Sequence, residues 1–269
     1  MLLSNSGFAQ NGAYPWLAEY DAAEAIVNRI SPPEGYRRAP TTEGSFEHWL
    51  THLQLKKGRP PVHLFNGRPK ANQDAHVAVV DMDVGSRNLQ QCADAIIRLR
   101  AEYLSSIGDY DAIHFNFTSG HRAEYTRWVE GYRPVIESNR VTWVKSSRRD
   151  ASYKAFRSYL DTVFTYAGSY SLSRELNGVV DPSEMRIGDV FIQGGHPGHA
   201  VIVVDMVMVI HRQNGKKFFL LAQSYMPAQE MHVLRNPANA ELDPWYELDF
   251  GESLLTPEWT FHKSDLKRF

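Results

Sequence analysis

Gly188-Asp189-Val190-Phe191-Ile192-Gln193-Gly194-Gly195-His196-Pro197-Gly198-His199-Ala200-Val201-Ile202-Val203-Val204-Asp205-Met206 decides how this chain is read. Gly188–Ile192 reads as a strand after a turn. Gly194–Gly198 is a loop, because glycine and proline punctuate regular structure. His199–Met206 is an apolar, β-branched run, which marks a well-buried strand. Downstream, Asn214-Gly215 predicts a return turn, and Phe218–Ser224 predicts the antiparallel partner strand.

Upstream of that hairpin the period changes from two to nearly four. The clearest helix is expected over Asn88–Leu104, with Leu89, Cys92, Ala93, Ile96, Leu99, Tyr103 and Leu104 on one stripe. Ser86 or Asn88 can cap its start. Tyr153–Tyr166 reads as a second long helix, with Phe156, Tyr159, Leu160 and Val163 on one side. Shorter helices are expected at Ala22–Ile30, Ser45–Leu53 and Glu124–Glu130. Further strands are expected at Val62–Phe65, His76–Met82 and Ile113–Phe117. Helices first and an antiparallel meander later is the pattern of an α+β fold, N-terminal helices packed on a C-terminal sheet. Residues 1–40 are rich in Pro, Gly and Ser and are expected as a loosely attached N-terminal arm, with residues 41–269 as a single α+β domain.

The composition narrows the partners. The chain has 269 residues with a formal net charge of −2, which gives no electrostatic reason to expect nucleic acid. The cations Lys145, Arg148 and Arg149 read as a solvated loop. No stretch approaches the ~20 apolar residues of a membrane helix. The opening Met1-Leu2-Leu3-Ser4-Asn5-Ser6-Gly7-Phe8-Ala9-Gln10 has the short apolar start and small residues of the end of an export signal. The expectation is an exported protein, periplasmic or at the cell surface. Nothing in the sequence sets an oligomeric state.

A single cysteine, Cys92, excludes an internal disulfide and any multi-cysteine metal site. Two readings of it stand. On the apolar stripe of its helix it is a small buried hydrophobe. Near a helix start it is a nucleophile, because the helix N-terminus and a neighbouring imidazolium lower a thiol pKa. His199, opening a strand after a glycine loop, is the candidate base. Asp205 shares its strand but lies roughly 20 Å along it. The partner strand brings Gln223 opposite His199, with Ser224 as the alternative if the register slips by one. Helix-start amides with Gln90 or Gln91 can hold an oxyanion.

His196 and His199 form an H-x-x-H pair, which two ligands alone do not make into a zinc site; no metal and no cofactor is assigned. Phe115–His121 with Tyr125, Trp128, Tyr132 and Trp143 is dense in aromatic and polar groups. It reads either as a core edge or as a cleft for glycan or peptide, with Ser119, His121, Tyr125 and Trp128 as substrate contacts beside Gln91. Arg122, Arg127 and Arg133 can bind a carboxylate.

The order Cys92, then Gly188-Asp189-Val190, a glycine loop and His199 resembles the papain-like cell-wall amidases and peptidases. That resemblance implies a papain-like fold and a thiol hydrolase cleaving an amide in peptidoglycan or a peptide, with Cys92 as nucleophile and His199 as base; Gln223, or Ser224, from the hairpin register would complete the catalytic set by orienting His199. Read whole, the chain is similar to domain-of-unknown-function family 4846, found mainly in Bacteroidetes. The stretches that carry this are Asn88–Leu104, Phe115–Gly120 with Trp128 and Gly131, Gly188–Met206 and Ala222–Gln229. This second resemblance implies an exported protein and no particular activity. The alternatives to a hydrolase are a non-catalytic glycan- or peptide-binding protein on the same fold and, third, a metal-dependent hydrolase.

Overall fold

In the computed structural model, which describes residues 10–209 and 215–269, the stretch quoted above forms the centre of a large antiparallel sheet. The strand Val190–Gln193 pairs with His199–Val209 through Gln193↔His199 and Val190↔Ile202. His199–Val209 in turn pairs with Lys217–Gln223, from Lys217↔Met208 to Ala222↔Ile202, with a bulge at Leu220/Leu221. The sheet continues through His232–Leu234 to His76–Val79 on one side. On the other it runs through Leu266–Arg268 to Asn177–Gly178. His199–Val207 is buried at every position. A strand covered on both faces has no reason to alternate, which is why its sequence is a continuous apolar run.

The cover on one face is the helix Cys92–Ser106. Its buried residues Ala93, Ile96, Ile97, Leu99 and Leu104 join Val201, Val203 and Phe219 in one core. The helix Tyr153–Tyr166 has the bounds its periodicity predicts, is capped by Ser152, and packs Tyr159 against Tyr125 and Trp128. The result is a mixed α+β architecture built around an antiparallel sheet.

Several expectations need correction. The helix expected from Asn88 starts at Cys92, because Gln91 is the cap. Asp94 accepts the Gln91 backbone N–H at 3.0 Å, completing the first turn. Val62–Phe65 forms isolated bridges, His63↔Pro69 and Leu64↔Gln229, instead of a regular strand. Residues expected as a loose arm are built into the body. Tyr14 is buried and donates to Trp49 O, Trp16 donates to Asp81 O, and Tyr36–Arg38 pairs with Val207–Val209. Aromatic anchors explain this: each buries a ring and still satisfies its polar tip. The export-signal reading falls on residues 1–9, and Asn214 of the expected turn also lies outside the described residues.

Candidate functional site

Cys92 is the first residue of its helix, where the backbone N–H groups of the opening turn lack intrahelical acceptors. The loop that delivers it is held by a buried arginine. Arg98, fully buried, donates to Gln90 Oε1 at 2.8 Å, to Asp83 Oδ2 at 2.7 Å and to the Asp83 carbonyl, and pairs with Glu102 one turn on. This commits the Gln90 side chain to structure; the Gln91 amide, beside the thiol, donates to Asn88 Oδ1 at 3.3 Å. Ser224 closes the arrangement from the sheet side, donating to Gln229 O at 2.8 Å and approaching Gln90 O at 3.3 Å.

A cavity of about 330 Å³ opens at this junction, lined among others by Gln91, Cys92, Asp94, His196, His199, Tyr225 and Trp259. Cys92 and His199 therefore share one cavity wall. The amides of Cys92, Ala93 and Ala200, the last being the residue after His199, turn toward the sulfur and favour its thiolate. Burial works against them and wins, with the Asp94 carboxyl adding to it. The thiol is pushed up to about 11, not down as a helix start and an imidazolium would place it. No imidazolium is present to help, because burial drives the His199 pKa down to about 4. Tyr225, Trp259 and Phe261 surround that ring, with centroids at 4.5, 5.4 and 5.8 Å. The resting pair is neutral thiol and neutral imidazole, and among the described residues no hydrogen bond joins them.

The ring is oriented from behind. His199 Nε2 lies 2.8 Å from Gln223 Oε1, and both residues are buried. The register runs to Ala222↔Ile202, and continued by one residue it sets Gln223 opposite Val201, so Gln223 and His199 share one sheet face. Ser224 points to the helix leader instead, so of the two it is Gln223 that contacts the His199 ring. Asp205 is engaged elsewhere, paired with Arg38 at 2.8 Å.

The structure does not bring Ser119, His121, Tyr125 and Trp128 to this cavity. Ser119 lines a separate one with Tyr170 and Arg174. His121 accepts from Trp143 Nε1 at 2.8 Å. Tyr125 and Trp128 are core residues, because their helix turns its aromatic face onto Tyr153–Tyr166. Arg127 stacks over Trp143 and Arg133 over Trp128. Among the described residues no group of three His, Cys, Asp or Glu side chains is placed to hold a metal.

Sequence reasoning missed Glu258, Lys70 and His232. Gln223 Nε2 donates to Glu258 Oε2 at 2.8 Å and lies 3.3 Å from His232 Nε2. Lys70 is buried and forms an ion pair with Glu258. No periodicity or motif flags these residues. Trp259 was equally hidden, although Pro257-Glu258-Trp259 stands in a short turn-rich stretch close to the C-terminus.

Among curated proteins and among solved structures, nothing matches the chain. A family model, described as domain of unknown function (4846), matches residues 26–268, nearly the full length. The chain belongs to this family.

Proposed function

We propose that this protein is a thiol hydrolase of papain-like type, cleaving an amide bond in peptidoglycan or a peptide outside the cytoplasm. One observation carries the reading. The His199 ring is held through Nε2 by Gln223, and it shares a cavity with the helix-start sulfur of Cys92. A ring bound that way carries its proton on Nε2, and its Nδ1 lone pair is the base. In the reaction Cys92 Sγ bonds to the substrate carbonyl carbon while its proton passes to Nδ1. The oxyanion that forms is met by helix-start amides and the Gln91 side chain. The tetrahedral adduct expels the amine, which leaves with the proton from Nδ1. Water, deprotonated by the same nitrogen, then releases the acid from the thioester.

The neutral resting pair favours a second reading, a glycan- or peptide-binding protein that uses the same cavity with an unreactive thiol. One experiment separates the two. Wild-type protein, C92S and H199Q are incubated with a peptidoglycan digest and with a panel of fluorogenic peptide amides. The hydrolase reading expects amine release by wild type and none above background by either variant. Equal turnover by C92S overturns it. Saturable binding without turnover by any of the three establishes the binding reading.

A further inference from the structure

Behind Gln223 lies a buried polar chain whose donors and acceptors can be assigned in only one way. His232 is fully buried, and burial holds it neutral. Its Nδ1 lies 2.9 Å from the Glu230 carbonyl, which can only accept. The proton of His232 is therefore on Nδ1, and its Nε2 is a bare lone pair. Gln223 Nε2 stands 3.3 Å from that lone pair and 2.8 Å from the Glu258 carboxylate. Lys70 Nζ donates to the same carboxylate and lies 3.4 Å from His232 Nε2. Turning the Gln223 amide over would set its oxygen against a carboxylate and a lone pair, away from water. Such unpaired buried groups are disfavoured strongly. The amide oxygen is thus forced toward His199.

We propose that Glu258 and His232 are positioning residues. By accepting from the Gln223 amide nitrogen they fix its polarity, and through it they place the His199 proton on Nε2 and the lone pair on Nδ1. Lys70 keeps the Glu258 carboxylate in place as its buried counter-ion. The assignment of the tautomer follows from this network alone; its consequence for catalysis rests on the thiol-hydrolase reading.

The test uses the full chain with 15N-labelled histidine. Two-bond proton–nitrogen spectra report which ring nitrogen carries the proton, with the His199 signals identified by their loss in H199Q. Wild type is expected to show a single Nε2–H tautomer. E258Q, which still presents an oxygen to Gln223, is expected to keep it. K70A/E258A/H232L removes the ion pair and the second acceptor of the Gln223 amide nitrogen together, so neither an unpaired buried charge nor the His232 lone pair remains. It is expected to show both tautomers, together with a kcat about tenfold lower at unchanged KM. An Nδ1–H tautomer in wild type overturns the proposal. So does a K70A/E258A/H232L protein, folded by circular dichroism, whose tautomer matches wild type. The expected tautomers with no amide turnover by wild type leave the positioning network standing and remove the hydrolase reading alone.

Discussion

Gln223 stands between His199 and Glu258, its oxygen 2.8 Å from the one and its nitrogen 2.8 Å from the other. Each half of a single amide is used, so the residue transmits orientation from the Lys70–Glu258 ion pair to the ring in the cavity. Replacing it with leucine removes both contacts and leaves His199 Nε2–H and the Glu258 carboxylate to find other partners. On the proposed hydrolase reading, Q223L is expected to lose about 10²-fold in kcat, the scale of a misplaced general base, while alkylation of Cys92 by iodoacetamide in the denatured protein stays unchanged. A Q223L enzyme with wild-type kcat would show that the amide does not orient the ring.

The thiol makes a second prediction through its pH dependence. With a pKa pushed up to about 11, its thiolate is scarce at neutral pH. Below that pKa the thiolate fraction rises about tenfold for each pH unit, and alkylation follows it. Folded protein should therefore react slowly at pH 7 and steadily faster up to the pKa, with mass spectrometry as the readout. Rapid labelling that is flat between pH 6 and 8 would mean a thiolate–imidazolium pair in the resting state, contrary to the burial that dominates here.

Acid stability follows from the same cavity, with a definite sign. His199 binds its proton at about pH 4 when folded, against an ordinary 6.5. A lowered histidine pKa means that the unfolded chain takes up protons first. The stabilisation is complete above pH 6.5 and is lost progressively as the pH falls toward 4, to a total of about 3 kcal/mol. Burial lowers His232 in the same direction. Urea denaturation of wild type at pH 7.5 and pH 4.5 should show a drop that shrinks in H199Q. An equal drop in both proteins would assign the acid sensitivity to other groups.

The loop before His199 leaves no room for a side chain. A Cβ on Gly198 would stand 2.4 Å from Ser169 Oγ, 2.7 Å from Gly195 O and 2.8 Å from Gln193 O. Two of these are backbone oxygens and cannot rotate away. G198A is expected to lower stability by about 1–3 kcal/mol, the range for overpacking, and to displace the residue that opens the strand. Thermal unfolding measures the first effect and His199 tautomer spectra the second. An unchanged melting temperature would show that the loop yields at no cost.

Arg98 offers the clearest stability test. It is buried with Asp83, Gln90 and Glu102 around it. R98M leaves the buried Glu102 carboxyl without its counter-ion, with only the Tyr153 hydroxyl donating to it, and frees the leader of the Cys92 helix. A loss of about 3–5 kcal/mol is expected, as when one partner of a buried ion pair is removed. Denaturant titration with coincident fluorescence and circular dichroism checks it.

Much of the fold was legible along the chain. Tyr153–Tyr166 shows its helical stripe because one face is buried and the other wet. The His199 and Lys217 strands show as apolar runs because both faces are covered. The His199–Gln223 contact followed from hairpin arithmetic, since the strands are close in sequence and register propagates along a ladder. The start of the Cys92 helix was misplaced by a turn. Asn88 is a good capping residue, but its side chain accepts from Ala228 N at 2.7 Å, a partner 140 residues away. The aromatic cleft failed because Tyr125 and Trp128 fit a binding surface and a core equally well until the packing of Tyr153–Tyr166 on them is known.

The sequence by itself determined the Tyr153–Tyr166 helix and the His199 and Lys217 strands, that the one sulfur precedes a strand-opening histidine, and that a glutamine lies within reach of that histidine. These are consequences of local periodicity and short turns. Only the tertiary structure decided that the thiol is buried and protonated, and that Glu258, Lys70 and His232 stand behind Gln223. Lys70 and His232 are 162 residues apart, and Glu258 is 35 beyond Gln223. Burial and ionisation are set by what the rest of the chain folds over a group, and no local pattern of residues encodes that.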